Sequence, residues 1–136
     1  MTSLRHSLQL SKGGVISLVG AGGKTSLMFR LARELSGQGD AVLSTTTTKI
    51  YTPGRTQSSV VMVSESAGEL AREAGKILRH KPHITAGSRR IAFQNKLKGF
   101  APEIIDAIRQ SGTFRWIVVE ADGAAGKSIK APAGHE

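Results

Sequence analysis

The stretch Val15-Ile-Ser-Leu-Val-Gly-Ala-Gly-Gly-Lys-Thr-Ser26 decides the reading of this chain. Val15–Val19 is a short apolar strand that runs straight into Gly20, Ala21, Gly22, Gly23, Lys24, Thr25 and Ser26. Beyond them Leu27, Leu31 and Leu35 recur at i, i+4 and i+8, with Arg30, Arg33 and Glu34 on other faces, and Gly37 and Gly39 stop the helix. Glycines between a strand and a helix let backbone N–H groups converge on phosphate oxygens. The new helix adds unpaired N–H groups and the positive end of its dipole. In such a loop Lys24 reaches the outer phosphates and the Thr25 hydroxyl sits on Mg²⁺. The longer spacing GxxxxGK[ST] asks for a glycine at position 18, where this chain has Leu18; what stands is the shorter GxxGK[ST], starting at Gly20. The ligand expected is ATP or GTP with Mg²⁺.

Outward from this loop, strands and helices alternate. Ala41–Ser44 and Ser59–Val63 read as the second and third strands. Ser66-Ala-Gly-Glu69 has the form of a capping box and opens a helix whose apolar face is Leu70, Ala71, Ala74, Ile77 and Leu78, with Pro82 beyond its end. Ile84–Ala86 reads as a brief strand, and residues 87–100 as a basic loop with one further element inside it. Pro102, at a first-turn position, starts a third helix through Ile104, Ile105 and Ile108 that Gly112 closes. Trp116–Val119 is a last buried strand. The alternation predicts an α/β fold of three layers, a mainly parallel sheet with helices on both faces, and a phosphate-loop NTPase-like arrangement. Ligands of such sheets bind at the carboxyl ends of the strands.

Two further sets of residues sit at such ends. The last strand delivers Glu120 and Asp122, which would point to the same side if the strand stays extended. A phosphate-loop site needs a carboxylate to hold Mg²⁺ near the Thr25 hydroxyl, so Thr25, Glu120 and Asp122 are the candidate metal groups, and Lys24, Glu120 and Asp122 the candidate catalytic ones. A solvated strand end decorated by carboxylates is the plainer reading. Ser44 to Lys49 ends the second strand; Thr46, Thr47, Thr48 and Lys49 are candidates to face a γ-phosphate or second substrate, although threonines also suit a strand for β-propensity alone. Lys127 and Lys130 follow the acidic strand and read as a solvated loop able to close on phosphate. His80 and His83 flank Lys81-Pro82, which denies them the shared helical face that a metal pair wants.

Composition bounds the rest. The chain has 136 residues, 19 Lys and Arg against 10 Asp and Glu, 16 Gly and no Cys. One domain fits that length. The absence of cysteine excludes a disulfide scaffold, a thiolate zinc site and a Cys nucleophile. Apolar runs reach only four or five residues, too few to span a membrane. Residues 1–12 lack the apolar core of a signal peptide, so the expectation is a cytoplasmic protein. A net charge of +9 asks for an anionic partner. It concentrates between Arg72 and Lys98, where eight basic residues face one acid, Glu73.

Beyond the loop, VISLVGAGGKTS, STTTTKIYTP, KLKGFAPEIID and above all VVEADGAAGKSIKAPAGHE resemble the selenium-dependent hydroxylase accessory proteins of the YqeC type, from about Val15 to the last residue. The resemblance implies a nucleoside-triphosphate-binding protein that serves maturation or cofactor insertion of selenium-dependent molybdenum hydroxylases. Its implied partner is such a hydroxylase or its cofactor, and Mg²⁺-dependent triphosphate hydrolysis is the implied reaction if it is an enzyme. It makes Gly20 to Ser26 the nucleotide groups and Glu120 and Asp122 the Mg²⁺ groups, and it matches His135 and Glu136 to a motif without a stated role. Family chains are longer, so residues 1–136 are expected to be one phosphate-loop nucleotide-binding domain, either a fragment or a shortened member. Two other readings stand beside it. ATP-dependent ligases of the Mur type share the short loop and a glutamate after an apolar strand. A nucleic-acid-binding module would use the basic stretch, but six aromatic residues and no binding motif argue against it.

Overall fold

The computed structural model describes residues 12–20 and 22–121. Among these described residues, eight strands and three helices follow in the order β1 (Gly14–Leu18), α1 (Lys24–Gly37), β2 (Val42–Thr46), β3 (Lys49–Tyr51), β4 (Val61–Val63), α2 (Ala67–Ile77), β5 (His83–Gly87), β6 (Arg89–Ile91), β7 (Lys96–Lys98), α3 (Pro102–Gln110) and β8 (Trp116–Glu120). Five strands form one sheet in the order β1-β8-β2-β5-β4, and every neighbouring pair in it is parallel. Trp116 pairs with both Gly14 and Val42, and Glu120 with both Leu18 and Thr46, so β8 lies in step between β1 and β2.

Burial on both faces explains the strand sequences. β2 is buried at all five positions, and its neighbours alternate between two apolar cores. Val42, Trp116, Val118, Ile16 and Leu18 pack with Met28, Phe29, Leu31, Ala32 and Leu35 of α1. Leu43, Ile117, Val119, Ile84 and Ala86 pack with Leu70 and Ala74 of α2 and with Ile105 and Ile108 of α3. Helices therefore cover both faces, as expected from the alternation of elements. Each of the large buried side chains contributes roughly 1.5–3 kcal/mol by leaving water. Among the described residues, no helix is long and apolar enough to cross a membrane.

The helix ends follow their sequence signals, with one adjustment. Pro102 stands in the first turn of α3, and Gly112, at φ 74°, follows its end. The Ser66 side chain accepts the Glu69 N–H at 3.1 Å, as a capping box requires. The reciprocal half is different: Glu69 Oε1 accepts the Ser64 hydroxyl at 2.6 Å, and the Ser66 N–H donates to Ser64 Oγ at 3.1 Å.

Three sequence expectations need correction. The second strand is Val42–Thr46 rather than Ala41–Ser44, and the strand expected at Ser59–Val63 is the fourth, β4, which begins at Val61. Residues 87–100 are not a loop around one element. They hold the end of β5 and the strands β6 and β7, which form an antiparallel hairpin with Phe93 (φ 66°) and Asn95 (φ 53°) in its turn. β3 pairs with β7, giving a second sheet in the order β3-β7-β6. Three-residue strands carry too little alternation to be read alone; Ile50 and Leu97, paired in register, bury one face of this sheet in the α1-side core.

Candidate functional site

The predicted phosphate loop joins β1 to α1. Gly20, Gly22 and Gly23 have φ values of 117°, 64° and 75°, a region that favours glycine. A Cβ at any of the three would meet no heavy atom within 4 Å. The glycines are therefore required by backbone handedness, and the space beside them is open. No side chain caps α1 at Gly23, and no acid stands in its first turn, whereas α2 and α3 carry Glu69 and Glu103 there. The first turn of α1 thus supplies neither a side-chain cap nor an acid of its own to its first N–H groups and positive dipole end, which suits a phosphate. Ala21 lies outside the described residues.

The side chains converge on the end of β8. Thr25 Oγ1 donates to Glu120 Oε1 at 2.5 Å, and Lys24 Nζ donates to the Ala121 carbonyl at 3.2 Å. Ala121 N–H donates to Leu18 O at 2.9 Å, extending the β1–β8 ladder one residue past the strand. Ser26 is exposed in the first turn of α1. A hydroxyl and a carboxylate are hard oxygen donors, which Mg²⁺ prefers, and Mg²⁺ commonly takes one or two such protein groups and completes its shell with phosphates and water. Among the described residues, no group of three or more His, Asp or Glu could form a closed metal cage. Asp122, the other predicted carboxylate, lies outside the described residues, as do Lys127, Lys130, His135 and Glu136.

The threonine run divides. Thr46, the last residue of β2, is fully buried, and its hydroxyl donates to Glu120 O at 2.8 Å. Thr47 N–H donates to the same carbonyl at 3.2 Å, so Glu120 is fixed by the turn that leaves β2. Thr48 is exposed, with its N–H held by Thr46 Oγ1 at 3.1 Å. Lys49 belongs to β3 of the second sheet. Lys24, Thr25, Thr46 and Glu120 are thus brought together by adjacent parallel strands, and Lys49 is carried into a different structure.

Sequence reasoning missed Gly99 and Phe100. Gly99 N–H donates to Thr48 O at 2.7 Å and Phe100 N–H to Thr46 O at 2.9 Å, so this dipeptide secures the turn that positions Glu120. A Cβ on Gly99 would sit 1.8 Å from Thr46 O, and only glycine permits that approach. The Lys-Leu-Lys alternation just before it was the available signal.

His83 is structural. Its Nε2 lies 2.8 Å from Ser44 Oγ, and its ring meets Phe29 with centroids 6.2 Å apart. Burial, with a smaller push from the Arg33 charge, lowers its pKa to about 4, so it is neutral at pH 7.

The model of a family described as YqeC protein matches residues 16–136. The chain belongs to the YqeC family. A protein of Escherichia coli (strain K12) described as uncharacterized protein YqeC is 41% identical over 130 residues, which are 90% of this chain and 45% of that protein. The chain thus spans about half the length of the curated YqeC relative it matches. No solved structure matches it. The family match includes the glycine loop, Lys24, Thr25 and Glu120.

Proposed function

We propose that this YqeC-family chain binds a nucleoside triphosphate with Mg²⁺ in a phosphate-loop NTPase-like fold, and that it serves maturation or cofactor insertion of selenium-dependent molybdenum hydroxylases. The observation that carries the nucleotide part is the contact of Thr25 Oγ1 with Glu120 Oε1, made where β1 and β8 end side by side and where α1 begins uncapped. Hydroxyl and carboxylate are the two protein oxygens that Mg²⁺ takes in such sites. Gly20 to Ser26 would receive the phosphates through backbone N–H groups, and Lys24 would exchange its Ala121 carbonyl for a phosphate oxygen. Bound Mg²⁺ would neutralise charge on the outer phosphates. Thr46 keeps the Glu120 backbone in place while that carboxylate turns from Thr25 to the ion. Asp122 is the second carboxylate proposed for this role. The hydroxylase part rests on the family resemblance, to which the basic region 72–98 adds a surface suited to an anionic cofactor or partner.

Calorimetric titration with Mg·ATP and Mg·GTP tests the nucleotide part. Saturable binding of one or both is expected, with most of the affinity lost in Lys24→Ala. Glu120→Gln is expected to weaken binding in Mg²⁺ more than in EDTA. Binding indifferent to both changes would refute the site. Pull-down of an apo-hydroxylase tests the partner; failure with and without nucleotide would sink that part alone.

A further inference from the structure

The second sheet gathers cations on one of its faces. Lys49 stands opposite Lys98, and Lys98 opposite Arg89, so three positive side chains share one row across three strands. Directly opposite residues have Cβ atoms roughly 4.5–5.5 Å apart, where like charges repel. Among the described residues none of the three joins an ion pair. Two residues along the strands, on the same face, Lys96 lies over the Tyr51 ring, 4.7 Å from its centroid, adding a fourth cation. Arg89 and Lys98 also line a cavity of about 380 Å³ together with Glu65, Ser88, Phe100 and Ile104. That volume falls in the range of small-molecule sites, roughly 300–1,000 Å³.

Close backbone approach builds the cavity wall. Ser88 N–H donates to Lys98 O at 2.7 Å, and a Cβ on Gly87 would lie 2.6 Å from that carbonyl. The two segments that carry Arg89 and Lys98 are therefore locked together, and Gly99 and Phe100 tie them to the end of β2. Two cations held in register against their own repulsion are matched by a dianion. The apolar part of the lining, Ile104 and Phe100, suits an organic body. Glu65 in the same lining disfavours a body that is anionic throughout.

We propose that this cavity is a second ligand site, for a small organic phosphate monoester whose dianionic head sits between Arg89 and Lys98. One residue joins it to the first site: Thr46 accepts Phe100 N–H on its carbonyl and donates its hydroxyl to Glu120 O. That the ligand is a co-substrate of the nucleotide rests on the function proposed above; that it binds here does not.

The test is calorimetric titration of the whole chain with phenyl phosphate, beside inorganic phosphate and benzyl alcohol. It is repeated in Arg89→Gln/Lys98→Gln and in Lys24→Ala, with Mg·ATP titrated into each. Saturable binding of phenyl phosphate is expected, tighter than that of inorganic phosphate and absent for benzyl alcohol. The Arg89→Gln/Lys98→Gln chain should lose roughly 10–100-fold, the worth of charge-assisted hydrogen bonds to a dianion. Lys24→Ala should leave phenyl phosphate binding unchanged, and Arg89→Lys/Lys98→Arg should retain it. Both glutamine changes are on exposed residues and relieve repulsion, so the thermal midpoint should hold or rise. Absence of saturable binding, equal affinity for inorganic phosphate, or loss in Lys24→Ala with retention in Arg89→Gln/Lys98→Gln would each overturn the proposal. Mg·ATP that fails to bind a chain that holds phenyl phosphate would overturn the nucleotide reading alone.

Discussion

Acid should destabilise this fold through one imidazole. His83 titrates at about 4 in the folded chain against 6.5 when exposed, because burial, and then the Arg33 charge, oppose its cationic form. Between those values the unfolded chain holds more protons than the folded one, so stability rises with pH across the window. It is fully present above pH 6.5 and is lost progressively as the pH falls towards 4. Each pKa unit is worth about 1.4 kcal/mol, so His83 accounts for about 3 kcal/mol between neutrality and pH 4. That is a large share of the 5–15 kcal/mol typical of a domain. His83→Gln removes the titration while offering Ser44 an amide in place of Nε2. Urea unfolding followed by the fluorescence of Trp116, buried and the single tryptophan, gives stability at each pH. The wild-type value relative to His83→Gln should fall by about 3 kcal/mol from pH 7 to pH 4. Subtracting the variant cancels the carboxylates common to both chains. A difference that stays constant across this window would refute the argument, as would an imidazole resonance that titrates near 6.5 in the folded protein.

Two further predictions concern the frame around the candidate site. Gly99→Ala drives a Cβ into Thr46 O and breaks the two backbone bonds that Gly99 and Phe100 make to the end of β2. At roughly 1–3 kcal/mol for each buried partner left unpaired, the loss should be several kcal/mol by urea unfolding; a change within about 0.5 kcal/mol would contradict the packing described. Ser66→Ala removes the acceptor for the Glu69 N–H and should cost about 0.5–2 kcal/mol in thermal unfolding, while Ser66→Asp, which keeps an acceptor, should stay near wild type.

Local chemistry was legible in the sequence wherever a short window contained its own cause. Gly20 to Thr25 between an apolar run and a leucine period of four announced strand, turn and helix, and the three described glycines of that loop carry the positive φ values such a turn needs. Ser66, Pro102 and Gly112 marked helix ends because caps act over one turn. The alternation of elements gave the parallel sheet and its two covered faces, since each buried strand must be apolar on both sides. Glu120 was legible as a candidate because it ends an apolar run.

What only the tertiary structure decided is which ends meet. The order β1-β8-β2 brings residues 25, 46 and 120 together, and no window of sequence holds all three. The second sheet was illegible because its strands have three residues each and are stabilised by one another and by the core beneath Ile50 and Leu97. For the same reason the row Lys49–Lys98–Arg89 looked like scattered charge along the chain. Propensity and capping act between near neighbours and are written in order along the sequence. Strand register is settled by burial across the whole fold, and it is register that places these charges and oxygens beside each other.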